Sequence, residues 1–132
     1  MNALPLRLPP GSDLRKSLED VLAAHAVEAA FVVSGLGSLS RACLRLAGAE
    51  SAHEIPGDLE ILTLSGSLAR NGSHLHISVA DATGRVIGGH VAFGCVVRTT
   101  AEVLIMTLPG WAFTRELDPA TGYAELVIRD SR

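Results

Sequence analysis

A chain of 132 residues with a net charge of −3 has room for one domain, and its make-up of 48% hydrophobic and 19% charged residues excludes a disordered chain. The apolar share is more than a small monomer needs and points to a self-associating surface. Ten of the eleven cations are arginines dispersed along the chain, with Lys16 the one lysine, so no basic run tracks a phosphate backbone and duplex binding by an isolated chain is not the default expectation.

In chain order, Leu4-Pro5-Leu6-Arg7-Leu8 alternates as a short strand, with Pro5 confining it to a sheet edge. Pro9-Pro10-Gly11 stops it. Ser12 is the predicted helix cap with Asp13 in the first turn, and Leu14, Leu18, Val21 and Leu22 form one apolar stripe of a helix over residues 13–26. Ala29–Val33 reads as a buried strand and Ser34–Ser38 as a tight turn. Further strands are predicted over Arg41–Ala47, Leu59–Leu68, His74–Ala80, Arg85–Val91, Val96–Thr107 and Tyr123–Ile128. Turns separate them at Gly48, Pro56-Gly57, Asn71-Gly72, Asp81–Gly84, Pro109-Gly110 and Asp118-Pro119. Trp111 and Phe113 are expected to pack under a loop. Many strands with one helix predict a single α+β domain over residues 1–132, a largely antiparallel sheet packed by the N-terminal helix.

Cys43 and Cys95 are too few and too far apart for a disulfide scaffold or a CxxC zinc site, and read as small apolar groups in a reduced compartment. No apolar stretch approaches ~20 residues, and the first residues carry no secretory pattern, so a cytoplasmic location is expected.

Of the five histidines, at 25, 53, 74, 76 and 90, three gather on one predicted hairpin. His74 and His76 are two apart on a strand and share a face, while Leu75, Ile77 and Val79 share the other. A three-residue loop Ala82-Thr83-Gly84, with glycine in the left-handed position, pairs Asp81 with Arg85 and sets His76 opposite His90. A four-residue loop would turn His90 to the core side and mismatch the apolar faces. Three neutral imidazoles at such spacing suit Zn²⁺ or another borderline divalent ion with one position left open. The bland alternative is a set of surface or subunit-interface histidines that only hydrogen-bond. Glu60 and Glu102 are candidate second-sphere partners or general bases for such a site, or simply solvated carboxylates.

Several segments together resemble the PPC (plant and prokaryote conserved) domain family: Val33–Leu39, Glu60–Ser67, His74–Asp81, Gly84–His90, Thr99–Val103 and Gly122–Leu126. The resemblance implies a homotrimer, and a metal at His74, His76 and His90 as in the bacterial type. It also implies a DNA-related role, although the Arg-Gly-Arg-Pro peptide of the plant members is missing. Three hypotheses follow. The first is a homotrimeric binding or regulatory module with a divalent metal, zinc being the first choice. The second is a small metal-dependent enzyme using the same histidines. The third is DNA binding by a trimer that gathers arginines such as Arg41, Arg45, Arg70 and Arg98.

Overall fold

The computed structural model describes all of Met1–Arg132. Its elements are β1 (Asn2–Leu8), α1 (Leu14–Ala24), β2 (Ala29–Arg45), β3 (His53–Ala69), β4 (Gly72–Ala80), β5 (Val86–Val91), β6 (Val96–Thr107), β7 (Trp111–Asp118) and β8 (Tyr123–Asp130). The first six strands form one sheet in the order β1-β6-β2-β3-β4-β5, and β7 with β8 forms a separate hairpin. Every ladder is antiparallel.

β1 lies at the sheet edge, where Pro5 withholds no needed donor. The cap of α1 is Asp13 rather than Ser12. Asp13 accepts the Lys16 N–H at 3.0 Å and, with its other carboxylate oxygen, the Gly94 N–H at 2.7 Å, whereas the Ser12 hydroxyl donates back to the Pro9 carbonyl. A carboxylate satisfies two backbone donors that a hydroxyl in the same place satisfies singly, which is why the start shifts by one residue. Replacing Asp13 by alanine should destabilise the fold by about 2 kcal/mol, read as a lower urea midpoint with an unchanged slope. The stripe Leu14, Leu18, Val21 and Leu22 is buried as the periodicity predicts, and α1 packs on β3, β4 and β6. At 11 residues α1 is far short of a membrane span, and no helix is long and apolar enough to cross one.

The largest departure from the sequence reading is β2. The predicted turn at Ser34–Ser38 does not exist, and the chain runs on as one 17-residue strand from Ala29 to Arg45. β2 is flanked by both β3 and β6, so most of its ladder groups have partners, and register shifts between Val32 and Ser34 and around Leu39 bend it where a turn would otherwise be needed. Gly37 is there for close approach: a Cβ would run into the backbone of Thr100 and Ala101 on β6. Pro56-Gly57 likewise lies inside β3, not in a turn. Pro56 pairs with Arg41 on one side, beyond the last β3–β4 pair at Glu60 and Ala80, so its missing N–H faces no neighbour.

Beyond the reach of β6, the end of β2 pairs with β5 through Leu44–Val91 and Arg45–His90. This closes β2, β3, β4 and β5 into a partial barrel around one core of 22 buried residues, Leu39, Leu59, Leu75, Val79 and Ile105 among them. Residues Trp111–Asp118, read from sequence as loop, form a strand because β8 supplies a ladder along their whole length. This hairpin rests on the turn end of β3. Phe113 is 2% exposed and packs on Ala29 and Ala69, and its carbonyl accepts the Arg70 N–H. Trp111 remains half-exposed, with the Arg132 guanidinium 5.6 Å from its ring. Cys95 is buried and Cys43 partly so; both are free, and desolvation pushes the Cys95 thiol up to about 11, leaving it inert.

Candidate metal centre

The hairpin of β4 and β5 turns through Asp81–Arg85. Gly84, at φ 83°, donates to the Asp81 carbonyl, and the Asp81 N–H donates to the Arg85 carbonyl, both at 2.9 Å. One Asp81 carboxylate oxygen accepts from the Thr83 N–H, the Thr83 hydroxyl and the Arg85 N–H. That is the three-residue loop, and it delivers the register read from it: Val79 opposite Ile87, Ile77 opposite Gly89, Ser78 opposite Gly88 and His76 opposite His90. Leu75, Ile77 and Val79 are buried, and the histidines occupy the other face, His74 and His76 exposed and His90 half-buried.

The three side chains converge. One ligating nitrogen from each lies within 4.8 Å of the others. The Nε2 atoms of His74 and His76 are 3.1 Å apart. The rings of His74 and His90 stack at 5.4 Å and 14°, with His76 standing edge-on to both. Tetrahedral ligands at a Zn–N length of about 2.0–2.1 Å are separated by about 3.4 Å. The His74–His76 pair already spans such an edge, and the set fits a three-imidazole centre with modest inward movement of His90. Gly88 and Gly89 permit the register, since a Cβ at either would meet a backbone carbonyl oxygen, of Ile77 or of Arg45, at 2.9 Å.

The electrostatics favour the neutral, ligating form. Partial desolvation, the Arg115 guanidinium and the two neighbouring imidazoles hold the His74 pKa below its usual value, against an upward pull from Glu125. Desolvation, Arg45 and His76 lower that of His90. A lowered histidine pKa means that the unfolded chain binds more protons than the fold just below pH 6.5, so these groups cost nothing above that pH and erode stability as the pH falls through it. Protons and a metal compete for the same lone pairs. Affinity for Zn²⁺, measured by competition with a chelator, is therefore expected to fall about 100-fold from pH 7.5 to pH 5.5.

Glu60 and Glu102 do not stand beside the histidines within the chain. Glu60 pairs with Ala80, four residues along β4 from His76 and so about 13 Å away. Glu102, on β6, pairs with Arg7 of β1 and Leu36 of β2, and β6 lies three strands away from β4. Both are exposed. The carboxylate that does approach is Glu125 of β8, which with His74, His90, Arg15, Arg45 and Arg115 lines a cavity of about 620 Å³. Sequence reasoning left Arg115 and Glu125 unassigned to the site because β7 was not recognised as a strand. The one signal is the Gly122–Leu126 segment, which contains Glu125 and not Arg115. Of the four arginines considered for DNA, Arg70 pairs with Glu28 and Arg98 with Asp58, while Arg41 and Arg45 donate to the carbonyls of Gly94 and Ala49.

Comparison with known proteins gives a consistent outcome. The sequence pattern described as the Plants and Prokaryotes Conserved (PCC) domain matches residues 1–109, which include all three histidines. A curated relative, the bifunctional protein GlmU of Synechococcus sp. (strain JA-2-3B'a(2-13)), is 50% identical over 125 residues, 95% of this chain but 20% of its own length. The chain thus spans about a fifth of the curated relatives it matches. A solved Salmonella enterica protein, described as hypothetical, superimposes with a TM-score of 0.94 at 37% identity, covering 98% of this chain and 94% of that one. The metal-containing protein of Archaeoglobus fulgidus gives 0.83 at 28% identity, covering 96% and 94%. A Bacteroides thetaiotaomicron protein whose name proposes DNA binding shares the fold, at TM-score 0.78 and 16% identity over 99% and 94% of the two chains.

Proposed function

This chain belongs to the Plants and Prokaryotes Conserved domain family, and we propose that it is a homotrimeric binding or regulatory module whose His74, His76 and His90 hold one divalent metal ion, zinc before others. The observation that carries the metal is the convergence of three imidazoles, their ligating nitrogens within 4.8 Å of one another, on a hairpin whose turn and register are over-determined. The likeness to a metal-containing archaeal protein supports it. When bound, such an ion supplies a Lewis acid with one position open to a ligand. The protein's own contribution is to present neutral imidazoles from two paired strands, held by a turn that keeps His76 opposite His90.

Trimer formation is supported by the histidine-bearing side of the sheet itself. Phe31 lies opposite Ser67, which lies opposite His74, so this face continues from the metal set into exposed apolar side chains. Phe31, Leu36 and Leu104 are 40%, 53% and 36% exposed. A second and third copy of this chain is the occupant we assign to them, because the surface is apolar and continuous with the histidine-bearing face. Light scattering should give three times the 13.8 kDa chain mass, and Leu36→Glu should shift it toward one. DNA association, which the family resemblance implies, would have to come from an assembly that gathers arginines from several chains.

The second reading, a small metal-dependent enzyme, is favoured by the cavity that opens beside His74 and His90 with Glu125 in its wall. Metal analysis of protein purified without a polyhistidine tag is the direct test of the site common to both readings. An equimolar divalent metal supports it, and metal-free protein that takes up none on titration overturns it.

A further inference from the structure

We propose that the cavity beside the histidines binds a small oxyanion, a carboxylate or phosphate group, gripped by Arg45 and Arg115 and presented to the open side of the metal set. The inference deepens the metal reading, but its arginine half does not depend on it.

The two guanidinium groups flank the histidines from opposite strands. Arg45 of β2 is the direct cross-strand partner of His90. Arg115 of β7 donates through Nη2 to the Ser67 hydroxyl at 2.6 Å, and Ser67 is the direct partner of His74. A cation therefore stands on each side of the stacked His74–His90 pair. Neither is spent on a carboxylate. The six ion pairs of the chain engage Arg15, Lys16, Arg70, Arg98, Arg129 and Arg132, and not these two. The Nε–H of Arg115 is buried and donates to no protein group. An orphaned donor on a charged group is costly, which marks Arg115 as a guanidinium not fully satisfied by the protein.

The placement of Arg115 is also stiff. Its backbone N–H donates to the Asn71 side-chain oxygen at 2.7 Å, and its carbonyl accepts from the Asn71 amide at 2.9 Å. This reciprocal pair ties β7 to the Asn71-Gly72 turn that starts β4, so the strand carrying His74 and the one carrying Arg115 move together. Preorganised guanidinium forks favour planar or tetrahedral oxyanions over other anions, because two N–H groups meet two oxygens without reorganisation. The third arginine of the cavity, Arg15, is committed to Glu19 and lies 4.3 Å over the Phe93 ring. Glu125 is the one carboxylate in the lining. With Arg15 matched by Glu19, Arg45 and Arg115 face the single lining carboxylate Glu125, which leaves the cavity positive before any metal enters. Its volume of about 620 Å³ admits a metabolite-sized ligand rather than a polymer.

The test is calorimetric titration of the full chain with inorganic phosphate and, separately, malonate, in chloride buffer at fixed ionic strength, with metal content measured on the same sample. At least one anion should bind, and which one identifies the group. Arg45→Gln and Arg115→Gln should each weaken binding at least tenfold, and Arg115→Lys should recover part of the loss. Arg85→Gln, an exposed arginine of the β4–β5 turn outside the cavity, should bind as the wild type does. Circular dichroism and light scattering verify that each variant is folded and assembled, so that lost binding is read on intact protein. Heat from neither anion, undiminished affinity in the folded double variant, or equal weakening by Arg85→Gln overturns the proposal. Arginine-dependent binding to a chain that takes up no metal overturns the metal reading instead and leaves this one standing.

Discussion

Replacing His76 by alanine is expected to reduce bound metal from about one ion per chain to background and to weaken Zn²⁺ affinity by more than ~100-fold, with little change in the stability of the metal-free fold. His76 is the residue whose loss should be felt most, because it touches both others. Its Nε2 is 3.1 Å from that of His74, and its ring stands edge-on to His90 at 4.9 Å. Removing it leaves two imidazoles that stack rather than converge. The side chain is exposed on the face away from the core, so alanine opens no cavity and should alter the metal-free Tm by no more than about 2 °C. The contrast appears when Zn²⁺ is added. Binding to the folded state alone stabilises by about 4 kcal/mol at a thousandfold excess over Kd, a gain the wild type should show and His76→Ala should lose. His53→Ala, which removes an exposed histidine of β3 that is not a member of the set, controls for histidine number and should keep the metal. Equal metal content in wild type and His76→Ala would show that the three imidazoles only hydrogen-bond to one another.

The site was legible in sequence to the extent that it is local. His74, His76 and His90 fall on one face because a period of two and a three-residue turn dictate it, and both are written in residues 74–90. The family resemblance is legible for the same reason: its motifs are the strands and turns themselves. What remained hidden is non-local. Gly35 and Gly37 look like turn residues, but their use is set by what lies across the sheet, with Leu64 against Gly35 and the Thr100–Ala101 backbone against Gly37. Pro56-Gly57 reads as a turn until β3 is seen to outrun β4 there. Trp111–Asp118 has no clean alternation, and its strand exists because β8 pairs with it. Arg45 and Arg115 reach the histidines only through the β2–β5 closure and the docking of that hairpin, neither of which has a local signature. Glu60 and Glu102 are candidates by residue type and strand position, and strand order and register set them apart from the histidines within one chain.

Gly66→Ala is expected to lower stability by about 3 kcal/mol or more and to disorder the three histidines at the same time. Gly66 is in the middle of β3 opposite Leu75, one residue from both the Ser65–His76 and Ser67–His74 pairs. A Cβ there would collide with the His74 carbonyl oxygen and lie 2.8 Å from the Leu75 Cα. Both obstacles are backbone, so no rotamer change relieves them, and the φ of 157° leaves little freedom to turn the Cβ away. The strain can be released only by parting β3 from β4 at this pair. Leu75 is 2% exposed and belongs to the main core, so parting the strands also loosens apolar packing against α1. The same movement shifts His74 relative to His76 and withdraws Ser67 from beneath it, along with its bond to Arg115. A fall in Tm of about 10 °C should therefore be accompanied by weakened Zn²⁺ binding in the fraction that remains folded. Leu68→Ala, a core truncation two residues further along β3, provides the comparison: it should cost a similar 2–4 kcal/mol while keeping full metal content below its Tm. If both variants lost metal equally, the histidines would depend on overall stability; a loss confined to Gly66→Ala would show that one missing side chain on β3 sets the geometry of the imidazoles on β4.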